Sequence, residues 1–212
     1  MKFARFAALL LLGTFCEISA LHAGVIRPSP STGSQKELSA THPPTGYVEL
    51  CSRAPGQCRH WSGQPEIIAL TVANWKLLLQ VNLEINKAIT AVSDQKHYGQ
   101  VEFWTYPIDA GDCEDFVLLK QQTLIGRGLP ENALLITVVR DEKGEGHAVL
   151  TAATSDGDYI LDNRRNDIRP WNKVGYTFMK RQSVQDPNRW VSLNANQTNT
   201  NQLTSARAGK VK

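Results

Sequence analysis

Three side chains have the types and the order of a covalent catalyst: Cys113, His147 and Asp162. A cysteine attacks only as its thiolate; its free pKa of roughly 8.5 falls to about 3.5–7.5 at a helix N-terminus or beside a protonated histidine. Cys113 stands where a helix should begin, in Asp112-Cys113-Glu114-Asp115. Those acidic neighbours oppose a thiolate, so an active Cys113 needs a bound cation or an imidazolium to compensate. His147 follows Gly144-Glu145-Gly146 and opens a strand pattern, which predicts an imidazole exposed at a sheet edge. The other histidines fall in less favoured places: His22 near the start, His42 in a Pro- and Thr-rich stretch, His60 beside Cys58, His97 in a polar segment. Asp162 closes the run Tyr159-Ile160-Leu161, where a carboxylate could hold the second imidazole nitrogen and fix its tautomer. Each residue also has a plainer reading: a buried inert thiol, a surface histidine, a turn aspartate in Asp162-Asn163.

Spacing gives a partial test. If Asp156-Gly157 forms a two-residue hairpin turn, His147 faces Asn166 and Asp162 faces Thr151. His147 and Asp162 then share a sheet face but stand four positions out of register, about 13 Å along the strand. Contact would require a wider loop or a bulge.

The elements around these residues can be read from periodicity. Positions 72–92 repeat apolar residues at steps of three and four (Trp75, Leu78, Val81, Ile85, Ala88, Ile89, Val92), with Thr71 as N-cap. A second helix is expected over 112–125, stopped by Gly126 and Gly128, with its acidic first turn suited to the positive end of the helix dipole. Strands are expected at 133–139, 147–153, 159–161 and 176–179. Helices followed by an antiparallel sheet indicate an α+β fold.

The ends have a different character. Lys2 and Arg5, a short apolar run around Leu9-Leu10-Leu11-Leu12, and Leu21-His22-Ala23 predict a signal peptide over 1–23 and a periplasmic or secreted protein. Phe15 before Cys16 is bulkier than a lipid-attachment site takes. Residues 24–46 read as a flexible linker, 47–193 as the folded domain and 194–212 as a disordered polar tail. In an oxidising compartment Cys51 and Cys58, flanking Pro55-Gly56, could close a disulfide, which leaves Cys113 unpaired. A zinc site of Cys51, Cys58 and His60 is the alternative, without an evident fourth ligand. The net charge of +3 comes with no basic run and no interleaved aromatic patch, so nucleic acid is not an expected partner.

Together, Gly111-Asp112-Cys113-Glu114-Asp115, Gly146-His147-Ala148-Val149-Leu150 and Ile160-Leu161-Asp162-Asn163 resemble the bacterial transglutaminase-like cysteine peptidases, in particular the LapG type. The resemblance extends over roughly 70–179 and takes in Trp75, Val81-Asn82 and Asn86. It implies a papain-like, transglutaminase-like fold, N-terminal helices packed on an antiparallel sheet, with Cys113 as nucleophile, His147 as general base and acid, and Asp162 as orienting carboxylate. It implies calcium held by Asp112 and Glu114, and an oxyanion donor in the Cys113 backbone N–H, with Trp104 a weaker candidate. It further implies a protein substrate, a large surface adhesin whose release disperses a biofilm, and sequestration by an inner-membrane receptor that senses cyclic-di-GMP. The Cys51/Cys58 pair departs from the LapG type. Two other readings compete: a transglutaminase or amidase acting on amide side chains or cell-wall peptides through the same triad and thioester, and a non-catalytic calcium-binding module that keeps the fold and a calcium site.

Overall fold

The computed structural model describes residues 28–30, 33–58 and 63–195. Along them the chain forms β1 (Ala40–Thr41), α1 (Thr45–Arg53), α2 (Val72–Ala88), β2 (Thr90–Ala91), α3 (Asp94–His97), β3 (Ala110–Gly111), α4 (Cys113–Gly126), β4 (Leu134–Arg140), β5 (Gly146–Thr154), β6 (Gly157–Leu161), β7 (Arg169–Pro170), β8 (Thr177–Gln182) and β9 (Trp190–Ser192). The main sheet runs β1-β9-β8-β4-β5-β6-β7 with every neighbouring pair antiparallel. The fold is α+β, as the order of elements predicts.

Alternation along β5 and β6 divides the interior in two. Ala148, Leu150, Ala152, Tyr159 and Leu161 face the helices, where they pack with Trp75, Leu78 and Val81 of α2 and Phe116, Val117 and Leu124 of α4. Val149 and Ile160 face the other way, into a smaller cluster with Val139, Val174 and Phe178. α4 is the central helix. Residues on nearly all its sides are buried, including the charged Glu114, Asp115 and Lys120.

The Thr71 hydroxyl accepts the Asn74 N–H at 3.1 Å and starts α2 as expected. The helix ends at Ala88, four residues before the end of its apolar stripe. Ile89 is extended, and β-branched Thr90 continues into a parallel ladder in which Thr90 pairs with Ala110 and Ala91 with Gly111. This ladder ties the end of α2 to the residues just before Cys113.

The hairpin register also differs from expectation. Thr154 pairs with Gly157, so the turn residues are Ser155-Asp156. Gly157 has φ +103°, which suits glycine, but it enters β6 rather than lying inside the turn. Moving the turn by one residue halves the offset between His147 and Asp162 to two positions, about 7 Å along the strand. They become diagonal neighbours on one face, and no bulge is needed between β5 and β6. The irregularity in this sheet lies at Val138/Val139, between β4 and β8.

The segment read as a linker carries structure over 33–46. Gly33 bridges Gly157, Ala40–Thr41 pairs with β9, and α1 starts at Thr45. Between these points the strap crosses the sheet face opposite the helices. The Gln35 N–H donates to Asp158 Oδ2 (2.9 Å), which also accepts from Arg181 Nη1 (2.7 Å), while Glu37 accepts from Ser183 Oγ and the Val184 N–H (both 2.8 Å). Its anchor is a buried ion pair, Arg181 being 1% exposed and Asp158 fully buried. The expected signal peptide and all but the first two residues of the expected tail lie outside the described residues. Cys51 and Cys58 form a disulfide (Cα–Cα 5.3 Å), which excludes a zinc site built on both thiolates; His60 lies outside the described residues. The bond closes a short loop and contributes about 2–3 kcal/mol in the chain-entropy account.

Candidate active site

Cys113 is the first residue of α4, after Asp112 in the cap position. Gly111 is required here by close approach: a Cβ on it would lie 2.5 Å from Asp115 Oδ2. As the first helical residue, Cys113 has a backbone N–H without an intrahelical acceptor, at the positive end of the dipole. The Cys113 thiol donates to Glu114 Oε2 at 2.9 Å and lies within reach of the backbone N–H of Ala148, the residue after His147. Burial pushes the thiol pKa up, and the Glu114 carboxyl pushes it further. Burial and neighbouring Asp112 likewise raise the Glu114 pKa. In this arrangement both groups favour their neutral forms and share one hydrogen bond.

His147 lies on β5, an interior strand between β4 and β6, and is 3% exposed rather than open at a sheet edge. The difference comes from Asp162 and Tyr176, which meet the ring from outside the β5–β6 ladder and which local sequence does not place there. Its Nε2 meets Asp162 Oδ1 at 3.0 Å, and its Nδ1 is buried without a hydrogen-bond partner. Asp162, one residue beyond β6, also accepts from the Arg164 N–H at Oδ1 (2.9 Å) and from the Tyr176 hydroxyl at Oδ2 (2.6 Å). Tyr176 packs edge-on against the His147 ring with centroids 5.7 Å apart. No spacing signal in the sequence points to Tyr176.

Burial alone would raise the Asp162 pKa, but the hydrogen bonds from His147, Tyr176 and Arg164 outweigh it and hold the carboxyl down to about 2. A depressed carboxyl pKa stabilises the fold fully above the ordinary value near 3.8, and that contribution is lost as pH falls from there toward 2. At 1.36 kcal/mol per pKa unit it is on the order of 2 kcal/mol. In denaturant titrations between pH 5 and pH 2, Asp162→Asn should therefore lose stability less steeply than the parent. Equal slopes would show that Asp162 is not held ionised in the fold.

Cys113 and His147 line one cleft of about 330 Å³ together with Gly146, Ala148, Trp104 and Val138. The Trp104 indole N–H donates to Glu102 Oε1 at 2.8 Å, so the ring is a wall of the cleft with its donor engaged. Arg53, in the last turn of the disulfide-closed α1, braces this wall: Nη2 donates to the Trp104 carbonyl (2.7 Å) and the guanidinium lies 4.0 Å from the Phe103 ring centroid.

Beside the thiol, Asp94, Asp112 and Glu114 each offer a carboxylate oxygen within 4.8 Å of the others. Asp112 and Glu114 are the pair that the family resemblance implies as ligands. Asp94 joins them through space, from α3: the parallel ladder brings 90–92 against 109–111, and the Asp94 N–H donates to Asp112 Oδ2 at 3.3 Å. Asp94 Oδ1, Asp112 Oδ1 and Asp115 Oδ2 are buried without hydrogen-bond partners. Burial raises the Asp94 pKa, against the opposing pull of the Phe103 N–H, and Asp112 raises it further; Asp115 is pushed up to about 7, chiefly by burial. Unpaired carboxylate oxygens converging out of water are expensive unless a cation meets them, and a hard, all-oxygen donor set suits calcium.

Residues 37–198 match the family model described as bacterial transglutaminase-like cysteine proteinase, BTLCP. Among solved structures, Legionella pneumophila LapG is 26% identical with a TM-score of 0.44, the match covering 50% of this chain and 63% of LapG. An EGTA-treated form of the same protein gives the same identity and TM-score over 62% of its length. A calcium-bound form is 19% identical with a TM-score of 0.41, over 63% of this chain and 82% of that one. The chain thus spans a little under two thirds of the first two. None of the curated proteins matches it.

Proposed function

The chain belongs to the bacterial transglutaminase-like cysteine proteinases, and from that premise we propose that it is an exported, calcium-dependent endopeptidase in which Cys113, His147 and Asp162 carry the reaction. The observation that carries this reading is the buried His147–Asp162 pair: His147 lines one cleft with Cys113, and its Nδ1 has no hydrogen-bond partner. With Nε2–H bound to Asp162, Nδ1 is left as the basic nitrogen.

His147 Nδ1 takes the thiol proton, and the sulfur of Cys113 attacks the carbonyl carbon of the scissile amide. The resulting oxyanion is received by the Cys113 backbone N–H. Collapse breaks the C–N bond, and His147 returns the proton to the departing amine, which leaves a thioester. Water then gives a proton to His147 and its oxygen to the acyl carbon, releasing the carboxylic acid and restoring the thiol. Asp162 stays ionised throughout and steadies the imidazolium. Tyr176 and the Arg164 N–H keep the carboxylate aimed at Nε2.

Asp94, Asp112 and Glu114 are the residues that would hold calcium. Bound there, the ion would supply the positive charge that keeps these carboxylates ionised and offsets their field at Cys113. Glu114, engaged with a cation, would no longer hold the thiol proton. Export is supported by the signal-like N-terminus and by the Cys51–Cys58 disulfide; no helix among the described residues is long and apolar enough to cross a membrane. By resemblance, the substrate is a large surface adhesin and the regulator an inner-membrane receptor.

The test incubates the purified protein with candidate surface proteins, with calcium and with a chelator. A discrete new N-terminus that appears only with calcium is the expected result. Incorporation of an added amine in place of cleavage would assign the same residues to a transglutaminase. Cleavage unaffected by chelation would remove the calcium part of the proposal.

A further inference from the structure

Asp162 lies outside the ladder that orders its neighbours. β6 ends at Leu161 and β7 begins at Arg169, so the segment 162–168 has no strand partner to set its position. It is held instead by two asparagines on α2. Asn86 Nδ2 donates to the carbonyls of Asp162 (2.9 Å) and Arg165 (2.8 Å), and Asn82 Nδ2 donates to those of Arg165 (2.9 Å) and Asn166 (3.2 Å). A spacing of four puts the two amides on one helix face. Asn82 is fully buried, and its Oδ1 accepts from Lys120 Nζ at 2.7 Å.

Lys120 is also fully buried, on α4, seven residues after Cys113. The Arg165 and Asn166 carbonyls can only accept, which settles which way the Asn82 amide faces: NH₂ toward the Asp162 segment, oxygen toward Lys120 on α4. Burial lowers the Lys120 pKa to about 7, but the neutral amine donates in the same geometry. None of the three side chains lines the catalytic cleft. The reaction as written has no use for them.

We propose that Asn82 and Asn86, with Lys120 orienting Asn82, are positioning residues that hold the Asp162 backbone so that its carboxylate meets His147 Nε2. The assignment rests on the reading of His147 and Asp162 as catalytic. The network joins α2, the Asp162 segment and the helix that carries Cys113. A shift of any one of them is transmitted to the imidazole.

Two measurements on Asn86→Ala, Asn82→Asp and Lys120→Met test it. Asn82→Asp keeps an acceptor for Lys120 but removes the donors to the Arg165 and Asn166 carbonyls. The first measurement is steady-state peptidase kinetics: kcat should fall by about ten- to a hundredfold with KM within about twofold, because substrate contacts are untouched. The second is the ¹⁵N spectrum of His147 in the Cys113→Ala background. The parent should show one tautomer with the proton on Nε2, and the variants a mixture. Variants that melt at lower temperature yet keep the parent kcat and a single Nε2–H tautomer would reduce the network to a stabilising role and overturn the proposal. If Asn86→Ala fails to fold, Asn86→Ser, which retains a short donor, takes its place with the same expectations. The ¹⁵N readout needs no turnover, so a chain that proves not to be a peptidase still reports on the clamp.

Discussion

Cys113→Ala should abolish cleavage while leaving the fold and the Asp94, Asp112 and Glu114 cluster in place. The loss should be on the order of 10⁴-fold or more, since removing a nucleophile from a cooperating set disables the rest of it. The substitution is sterically mild. It deletes a sulfur whose one described polar side-chain partner is Glu114, at a position where alanine is the best helix former. Circular dichroism and the calcium-induced rise in melting temperature should therefore match the parent. Unchanged proteolysis by the variant would end the assignment of Cys113. Loss of cleavage together with loss of the fold would carry no information about chemistry, which is why the melting measurement belongs to the experiment.

The second large effect is expected at Asp94, and its sign reverses with the metal. On the calcium reading, Asp94 would contribute one of three converging carboxylates, and calcium sites are tuned over decades by ligand charge. At a calcium concentration 100-fold above Kd, the parent gains about 2.7 kcal/mol, a rise of roughly 5–10 °C for a domain of this size. If Asp94→Asn weakens binding about a hundredfold, the gain at the same concentration falls to about 0.4 kcal/mol. In chelator the order inverts. Asparagine can still accept the Phe103 N–H while removing a buried carboxyl that faces Asp112, so the variant should melt at or above the parent temperature. A parent whose melting is indifferent to calcium, or a variant with the full shift, would take Asp94 out of the site.

Local rules carried the sequence reading a long way. Cys113 at a helix start follows from a glycine and an acidic first turn, and the shared face of His147 and Asp162 follows from parity, which a shift of the turn by one residue in each strand does not change. What failed was non-local. Gly157 announces a left-handed residue without saying whether it lies inside the turn or just after it, and that single position decides between a diagonal contact and a gap. The burial of His147 depends on β4 beside it and on Asp162 and Tyr176 meeting its ring from beyond β6. Asp94 and Tyr176 reach the site from elements far from the motif, with no period to betray them. Asn82 and Asn86 were visible as part of the family resemblance, but their task depends on where the segment after Asp162 comes to rest.

The strap from Gly33 to Thr41 bears on where the chain can be cut. The family match begins at residue 37 and the sequence suggests a domain from 47, yet a chain begun at either point loses Gln35, and one begun at 47 also loses Glu37. In the chain begun at 47, Arg181 and Asp158 would remain as a buried charge pair stripped of both strap partners, with the edge of β9 open to pair with another molecule. Such a fragment should be a sticky, half-finished sheet rather than a smaller enzyme. The shortest chain that closes its own surface begins ahead of Gly33.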